Sequence, residues 1–323
     1  MVIGIVGVGA KSVNLLNAMG NSVDTVRPLS VVPPFLIKGN VRLPEDQLVE
    51  PASRNHGPAA ARALMSAIDE SYSGVVVCVD LTGSAIQREF QRDVAVTFTE
   101  NFRNMHPDKM LHVLPILPDP REESLKDDVV DTCIELQNHA DSVVLHHTGL
   151  WDDEAEPQDD DTIYPSLATR LRELYAYAAR DKKSLRDVSW VAANGGMAIG
   201  YEQGEVSQTR KLVRKQPVLE TDLSPLIHRA THGRLTAPID IGSSNRGLVV
   251  VRTPPSAVDV EEIQTAVDEL VAETAIDTVR VGIQEDAACD DVHALAVLAE
   301  GGVRYEAAAI AEEIRELDVE DFQ

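Results

Sequence analysis

The sequence predicts an α/β protein with a Rossmann-like parallel-sheet domain, a connecting helix and a smaller α/β domain. Three observations support this fold class. Short apolar runs alternate with segments of helical apolar spacing, the first two such units join strand to helix through a glycine-containing turn, and one amphipathic stretch separates the two halves. We place the first domain at residues 1–163, the connecting helix at 164–183 and the C-terminal α/β domain at 184–323.

The first strand–turn–helix unit stands at the start of the chain. Val2 to Val8 is a compact apolar run, which is typical of a strand buried on both faces of a parallel sheet. Gly7 and Gly9 supply a tight turn after it. The segment from Ser12 to Met19 has helical apolar spacing, and Gly20 is a stop signal.

Further units of the same kind follow. Gly74 to Val79 predicts a second buried strand, which continues through the loop Asp80–Ala85 into a polar, helix-like stretch. His112 to Leu117 and Ser142 to Leu145 are short apolar runs on either side of a helical segment, Ser124 to His139. Strands that alternate with helices predict a parallel sheet covered on both faces.

The predicted domain connector follows an acidic segment. Trp151 to Asp161 contains many acidic residues and one proline, so it is either a solvated loop or a local cation trap. Leu167 to Ala179 places apolar residues at helical spacing, which predicts one amphipathic helix between the two halves.

The second half reads as a smaller α/β domain. It opens with the apolar run Val188 to Ala192, passes Gly195 and Gly196, and has a predicted helical stretch at about Arg210 to Arg214. Strands are predicted at Gly247–Val251, Thr278–Ile283 and Val292–Leu298, and helices at Val260–Ala272 and Tyr305–Leu317.

Charge is the strongest compositional signal. The 323 residues include 29 Lys and Arg against 53 Asp and Glu, a formal net charge of −24. Such a surface indicates a salt-adapted host, because the Debye length falls from about 30 Å at 0.01 M salt to about 3 Å at 1 M. The absence of a basic stripe argues against a nucleic-acid partner.

Compartment and redox class follow from simpler features. The apolar runs are far shorter than a membrane span, so no transmembrane segment is predicted. The start of the chain lacks the basic region of a signal peptide, and we expect a cytoplasmic protein. The three cysteines are widely spaced without a CxxC pair, which predicts buried packing residues and no zinc site.

The turn from Gly7 to Asn14, GVGAKSVN, is the first candidate site. A glycine turn ahead of a helix lets backbone N–H groups at the helix N-terminus approach a phosphate closely. The segment matches neither G-x-G-x-x-G, since Ser12 occupies the last glycine position, nor the P-loop pattern around Lys11. On these residues alone, a phosphate site and a purely structural turn both remain open.

The order of motifs along the chain resembles the tubulin/FtsZ superfamily. IGIVGVGAKSVNLLN, at Ile3 to Asn17, is similar to the family's IxVxGVGGxGxNxxN opening. RDVSWVAANGGMAIGYEQGE, at Arg186 to Glu205, is similar to FADVxTVMxxxGxAxMGxGxA. The segment from Ser243 to Gly302 resembles the family's C-terminal strand–helix–strand region. Together with the charge, this indicates a divergent FtsZ-like protein of haloarchaeal type.

The resemblance implies a guanine nucleotide, GTP or GDP with Mg²⁺, at the edge of the first domain. The implied nucleotide-binding residues come from the two turns, and they are Gly7, Gly9, Ala10, Lys11, Asn14, Thr82, Gly83 and Ser84. The family's GGGTGTG phosphate loop is reduced here to Thr-Gly-Ser, because Leu81 and Ala85 carry side chains where the family has glycines. Without the resemblance, Thr82 to Ser84 reads equally as an ordinary loop with a helix N-cap.

The family's catalytic loop is also altered. In FtsZ an NxDxxD loop enters the nucleotide pocket of the neighbouring subunit, where its carboxylates polarise the attacking water. Here Lys182 stands for the Asn and Ser184 for the first Asp, so Asp187 is the one implied catalytic residue, with a surface or capping role as its alternative. We therefore expect slow or absent GTP hydrolysis.

These features predict a cytoskeletal or assembly protein. It would either form filaments or scaffolds with itself, or regulate a related, active FtsZ/tubulin-type subunit. The alternative from another class is a dinucleotide-dependent Rossmann enzyme, for which Asp24 is the nearest ribose-binding acid.

Two histidine pairs and one loop are the remaining candidate sites. His146 and His147 are expected in a surface loop, and Arg54–Gly57 resembles the family's third phosphate loop only loosely. His228 and His232 stand four residues apart, as two ligands on one helix face would, but no third ligand is evident nearby in the sequence. We therefore predict no metal site.

Overall fold

The structure is a computed structural model of the 323-residue chain. It describes residues 1–20, 25–31, 48–49, 57–117, 127–144, 146, 160–193, 195–211, 214–219, 222–233, 235–236, 241, 244–274 and 276–300.

Twelve strands and eight helices are present in these ranges. The strands are β1 (Val2–Val8), β2 (Val26–Val31), β3 (Leu48–Val49), β4 (Tyr72–Asp80), β5 (Met110–Ile116), β6 (Ser142–Val144), β7 (Gly195–Gly204), β8 (Val206–Lys211), β9 (Arg214–Leu219), β10 (Ser244–Thr253), β11 (Thr278–Glu285) and β12 (Val292–Glu300). The helices are α1 (Ala10–Met19), α2 (Gly57–Ser66), α3 (Ala85–Met105), α4 (Asp127–His139), α5 (Asp160–Arg180), α6 (Lys182–Ala192), α7 (Leu223–His232) and α8 (Val260–Thr274).

Ten strands form one mixed sheet in the order β11-β10-β12-β7-β6-β5-β4-β1-β2-β3. Every pairing from β3 to β7 is parallel. Strand β12 is antiparallel to both of its neighbours, and β10 and β11 are parallel to each other. Strands β8 and β9 form a separate antiparallel hairpin. The predicted α/β class with a largely parallel sheet is confirmed.

The central strands are apolar along their whole length because helices cover both faces of the sheet. In β4, Val76 and Cys78 point into a core with α1, α5 and α6, while Val75, Val77 and Val79 point into a second core with α2, α3 and α4. A third core joins α7 and α8 to β10 and β12. This alternation explains why the strand lacks a polar face.

Helix α5 contains most of the predicted connecting segment, 164–183. Its residues Leu167, Leu171, Leu174 and Tyr175 are fully buried in the core that also holds residues of β1, β7 and β10. The helix therefore packs against strands from both halves of the chain. The domain boundaries themselves remain a prediction.

One predicted element in the second half is wrong. The segment from Arg210 to Arg214, predicted as helical, lies at the end of the β8–β9 hairpin, where Arg210 pairs with Lys215. Val188 to Ala192 is the second half of helix α6. The predicted tail helix, Tyr305–Leu317, and most of the acidic segment from Trp151 lie outside the described residues.

The three cysteines are buried and unpaired, as predicted. Among the helices that the structure describes, none combines the length and the apolar character that a bilayer span requires.

Candidate functional site

The two predicted turns meet at one edge of the sheet. Strands β1 and β4 are parallel neighbours, with Val8 opposite Val79, so both end at the same edge. The turn around Gly9 and the loop Thr82–Ser84 therefore lie side by side, as the carboxyl ends of adjacent parallel strands do in ligand-binding α/β folds.

Gly9 is required by its backbone conformation and by its surroundings. Its φ of 105° lies in the region that favours glycine, and helix α1 begins at the next residue. A Cβ at Gly9 would stand 2.5 Å from both Asp80 Cβ and Gln91 Nε2. The Ser12 hydroxyl in the next turn donates to the carbonyl of Cys78 at 2.9 Å, which ties α1 to β4. The turn is thus packed closely against the end of β4.

Asp80, the last residue of β4, folds its carboxylate back over this turn. Its Oδ2 accepts the backbone N–H of Lys11 at 2.9 Å, and its Oδ1 accepts the backbone N–H of Thr82 at 3.0 Å and the Thr82 hydroxyl at 2.6 Å. Only 3% of Asp80 is exposed. A carboxylate of the chain itself therefore satisfies one amide from each of the two turns.

The loop after Asp80 caps helix α3. Ser84 is the N-cap, and its backbone N–H donates to Gln87 Oε1 at 2.7 Å in a capping box. The carbonyl of Gly83 accepts a hydrogen bond from Arg88, whose guanidinium also pairs with Asp128 at 2.8 Å. The capping box satisfies the Ser84 and Gln87 N–H groups at the start of α3, as the N-cap interpretation of this loop predicts.

These contacts make two of the backbone N–H groups at the turns unavailable to a nucleotide phosphate. A phosphate cradle needs free N–H groups at a helix N-terminus, and the N–H groups of Lys11 and Thr82 already donate to Asp80. A phosphate in their place would lie beside a buried carboxylate of the same sign. At 4 Å and an effective dielectric constant of about 20, two unit charges repel by about 4 kcal/mol.

The other predicted nucleotide residues surround this packed centre. Gly7 is buried in β1, Ala10 and Lys11 are half-buried at the start of α1, and Asn14 is exposed on the next turn. Thr82 and Gly83 are half-buried and Ser84 is exposed. The structure brings all of them to one edge, and contact between any of them and a nucleotide remains a prediction.

Asp187 lies inside the protein, in the middle of helix α6. Its Oδ1 accepts a hydrogen bond from Arg280 of β11 at 2.8 Å, and its Oδ2 accepts one from the Tyr177 hydroxyl at 3.3 Å. Burial, as the largest cause, raises the pKa of Tyr177 to about 12, which keeps that hydroxyl a donor. The expected surface or capping role is wrong: Asp187 is 6% exposed, and the N-cap of α6 is Asp181.

The start of α6 is basic on its outer side. Lys182, Lys183 and Arg186 are exposed, whereas Ser184, at the position of the family's first Asp, is buried. Next to them, the Trp190 ring lies under the guanidinium of Arg280, at 4.2 Å from the ring centroid. This end of the molecule therefore presents cations and no free carboxylate from α6, apart from the capping Asp181.

Two residues that shape the site were not singled out in the sequence. The sequence predicts only that Asp80 belongs to a loop and Arg280 to a strand. One feature of the sequence could have indicated the role of Asp80. It is a charged residue directly after a run of five apolar residues, at the point where a buried strand reaches the edge of the sheet. Nothing in the local sequence around Arg280 indicates its partner, which is 93 residues away.

The remaining predicted residues have other positions or are not described. His146 is 2% exposed, so the expected surface position is wrong. His147, Asp24 and the loop 54–56 lie outside the described residues. Nothing in the described part of the chain supports the dinucleotide-enzyme alternative.

Comparison with known proteins gives one family match. Residues 187–308 match the family described as tubulin-like CetZ, C-terminal domain. No curated protein matches the sequence.

Solved structures with this fold cover nearly the whole chain. CetZ1 from Haloferax volcanii, a GDP-bound monomer, is 16% identical with a TM-score of 0.75, over 98% of this chain and 100% of that one. CetZ2 from the same organism, a GTPγS-bound protofilament, is 19% identical with a TM-score of 0.73, over 98% and 99%. An FtsZ dimer from M. jannaschii is 16% identical with a TM-score of 0.65, over 92% and 87%. At these identities the likeness shows the fold.

Proposed function

We propose that the chain, which has the fold of the tubulin/FtsZ superfamily, works in assembly without hydrolysing GTP. The observation that carries the proposal is the Asp80 carboxylate on the backbone N–H groups of Lys11 and Thr82. In this proposal Asp80 takes the place that a nucleotide phosphate would need. The setting is the cytoplasm of a salt-adapted, haloarchaeal cell.

The cost of admitting a nucleotide supports this proposal. A phosphate could enter only if Asp80 moved away and left its three hydrogen bonds, or if two negative charges shared the cradle. The repulsion of about 4 kcal/mol alone corresponds to roughly a thousandfold loss of affinity. The nucleotide-bound structures of CetZ1 and CetZ2 show that the fold can hold GDP or GTPγS, so the loss would come from the side chains of this chain.

The expected loss of hydrolysis has a second cause. In the family, loop carboxylates act in the pocket of the adjacent subunit. Here Asp187 is held by Arg280 and Tyr177, and swinging it outward would break both contacts. In this proposal the Asp187 carboxylate stays with its own subunit and activates no water in a neighbour.

Between scaffold and regulator, the basic start of α6 favours the regulator. Placed against a nucleotide-bound relative, Lys182 and Lys183 would meet phosphate charge without supplying a water-activating acid. Such a subunit would bind the end of an active filament and hold its terminal nucleotide unhydrolysed. The protofilament of CetZ2 supports end-to-end contact as the geometry for this fold.

Sedimentation and phosphate release test this function. The purified chain is mixed at high salt with an active FtsZ- or CetZ-type protein and GTP. We expect the chain alone to release no phosphate, and the mixture to co-sediment with lower phosphate release per active subunit. The charge-reversed variant K182E/K183E should lose both effects, whereas K109E, on a loop far from α6 in the sequence, should keep them. Phosphate release by the chain alone would refute the proposal.

A further inference from the structure

Two histidines and one glutamate form a cluster on the surface of the third core. His228 and His232 lie four residues apart on α7, and Glu273 lies near the end of the neighbouring helix α8. One ligand atom from each lies within 4.8 Å of the others. His228 Nε2 is 3.3 Å from Glu273 Oε1, and the two imidazole rings are stacked with centroids 4.1 Å apart. The third ligand, which the sequence did not reveal, is thus supplied by another helix.

The backbone around His232 sets the tautomer that a metal needs. His232 Nδ1 lies 3.3 Å from the carbonyl oxygen of His228 and 2.9 Å from the Thr231 hydroxyl. The Thr231 hydroxyl donates to the carbonyls of Ile227 and His228, so it accepts from His232. With two acceptors beside it, we assign the proton to Nδ1, and the lone pair of a neutral ring is then on Nε2. Metal-binding histidines are oriented in this way, with the second ring nitrogen donating to a backbone carbonyl.

The local charge favours a cation. Glu269, one turn before Glu273, lines the same groove between α7 and α8, whose volume is about 350 Å³. Arg229 also lines this groove, and its guanidinium lies 3.7 Å from the Glu202 carboxylate, which compensates its charge. A divalent ion held by His228 and Glu273 would therefore meet no uncompensated cation from these two helices.

From these contacts we infer that His228, His232 and Glu273 form a binding site for a late first-row divalent cation, Zn²⁺ in the first place. Two imidazoles and one carboxylate are a ligand set that suits Zn²⁺, whereas Mg²⁺ and Ca²⁺ require oxygen ligands. Tetrahedral ligand atoms at about 2.1 Å from Zn²⁺ lie about 3.4 Å apart. The present spacing of up to 4.8 Å exceeds this by about 1.4 Å, which rotation about the side-chain bonds of these exposed residues can close.

The ion would connect α7 to α8. The two helices already share the third core, through residues such as Leu226 and Leu270. A metal bound by both helices would stabilise this pair against unfolding, because the unfolded chain does not bring the three ligands together. With three ligands from the chain, a fourth position stays open to water or to a carboxylate of another molecule.

Calorimetric titration of the full chain with Zn²⁺ in a high-salt buffer tests the site. We expect one saturable Zn²⁺ site per chain, a rise in melting temperature on binding, and no comparable binding of Mg²⁺. H232Q should weaken Zn²⁺ binding by at least about a hundredfold and E273Q by about ten- to a hundredfold. Circular dichroism of each variant without metal checks that the fold is kept.

E269Q is the matched control, since it removes the same charge one turn away on the same helix. It should change Zn²⁺ affinity by no more than about threefold. Equal losses for E269Q and E273Q, or equal binding of Mg²⁺ and Zn²⁺, would show diffuse attraction to an acidic surface and overturn the inference. Failure of the unaltered chain to bind Zn²⁺ saturably would overturn it as well.

Discussion

Arg280 Nη1 donates to Asp187 Oδ1 at 2.8 Å, and this pair ties helix α6 to strand β11. The side chain of Asp187 is 8% exposed. The side chain of Arg280 is 37% exposed, and its guanidinium also covers the Trp190 ring. The aspartate that the family resemblance marks as catalytic is therefore part of the internal framework of its own subunit.

Breaking this pair should destabilise the protein. R280A leaves a buried carboxylate without its charged partner, and we expect a loss of about 2 kcal/mol in the free energy of unfolding. This is below the 3–5 kcal/mol typical of a fully buried pair, because water can reach the half-exposed site of Arg280. Denaturant unfolding at high salt measures the change.

R246A is the control for R280A. Arg246 lies over the same Trp190 ring and donates to the Trp190 carbonyl at 2.8 Å, whereas the Asp187 carboxylate accepts from Arg280 and Tyr177. Its loss should cost about 1 kcal/mol, the value of one hydrogen bond. An R280A protein as stable as R246A would contradict a structural role for the Asp187–Arg280 pair.

A side chain at position 9 should destabilise the fold, whether or not the turn binds a ligand. G9A forces a non-glycine residue into a φ of 105° and brings its Cβ to 2.5 Å from Asp80 Cβ. Strain and overlap together should cost about 3 kcal/mol of unfolding free energy. G20A is the matched control, since Gly20 also has a positive φ, 71°, but open space around it, and should cost about 1 kcal/mol. Equal losses in thermal unfolding would show that the Gly9 turn is not closely packed.

Stability should fall between pH 6.5 and pH 4 because of His112. This fully buried ring lies 3.0 Å from the Tyr175 hydroxyl, and burial lowers its pKa from 6.5 to about 4. The unfolded chain then binds a proton that the folded chain does not, so stability is complete above pH 6.5 and declines as the pH falls towards 4. At 1.36 kcal/mol per pH unit, the loss approaches about 3 kcal/mol.

The variant H112N separates this effect from the titration of the many carboxylates. It should lower stability at pH 8 by creating a small cavity, yet lose less additional stability than the unaltered protein between pH 6.5 and pH 4. Unfolding free energies at four pH values give both slopes. Parallel slopes would rule out His112 as the cause.

Salt should stabilise the fold strongly. With a net charge of −24, the chain repels itself when the Debye length is about 30 Å, at 0.01 M salt, and much less when it is about 3 Å, at 1 M. We expect the melting temperature to rise steeply between millimolar and molar KCl. An unchanged thermal melt over this range would contradict a salt-adapted surface.

The fold could be predicted from the sequence wherever burial imposes a pattern. Strands β1 and β4 are continuous apolar runs because helices cover both their faces, and the glycine turn marks the start of α1. The β8–β9 hairpin was misread as helical because its segment around Arg210 has no apolar periodicity. Its structure depends on cross-strand pairs such as Lys211 with Arg214, which a local reading does not reveal.

The site was less predictable, because its decisive contacts join distant residues. The sequence indicated the two turns, but not that the Asp80 side chain folds back onto Lys11, 69 residues earlier. The cluster of His228, His232 and Glu273 also depends on residues that are distant in the sequence. His228 and His232 were visible at helical spacing, while Glu273 reaches them only through the packing of α8 on α7.

Nucleotide content and GTP titration of the protein purified in high salt test whether the Asp80 carboxylate excludes a nucleotide phosphate. We expect no extractable guanine nucleotide and no saturable binding at millimolar GTP with Mg²⁺, because in our proposal Asp80 takes the place of a phosphate. D80A, which frees the N–H groups of Lys11 and Thr82, should bind GTP or inorganic phosphate more tightly than the unaltered chain. Stoichiometric, tightly bound GTP or GDP in the unaltered protein would contradict the account.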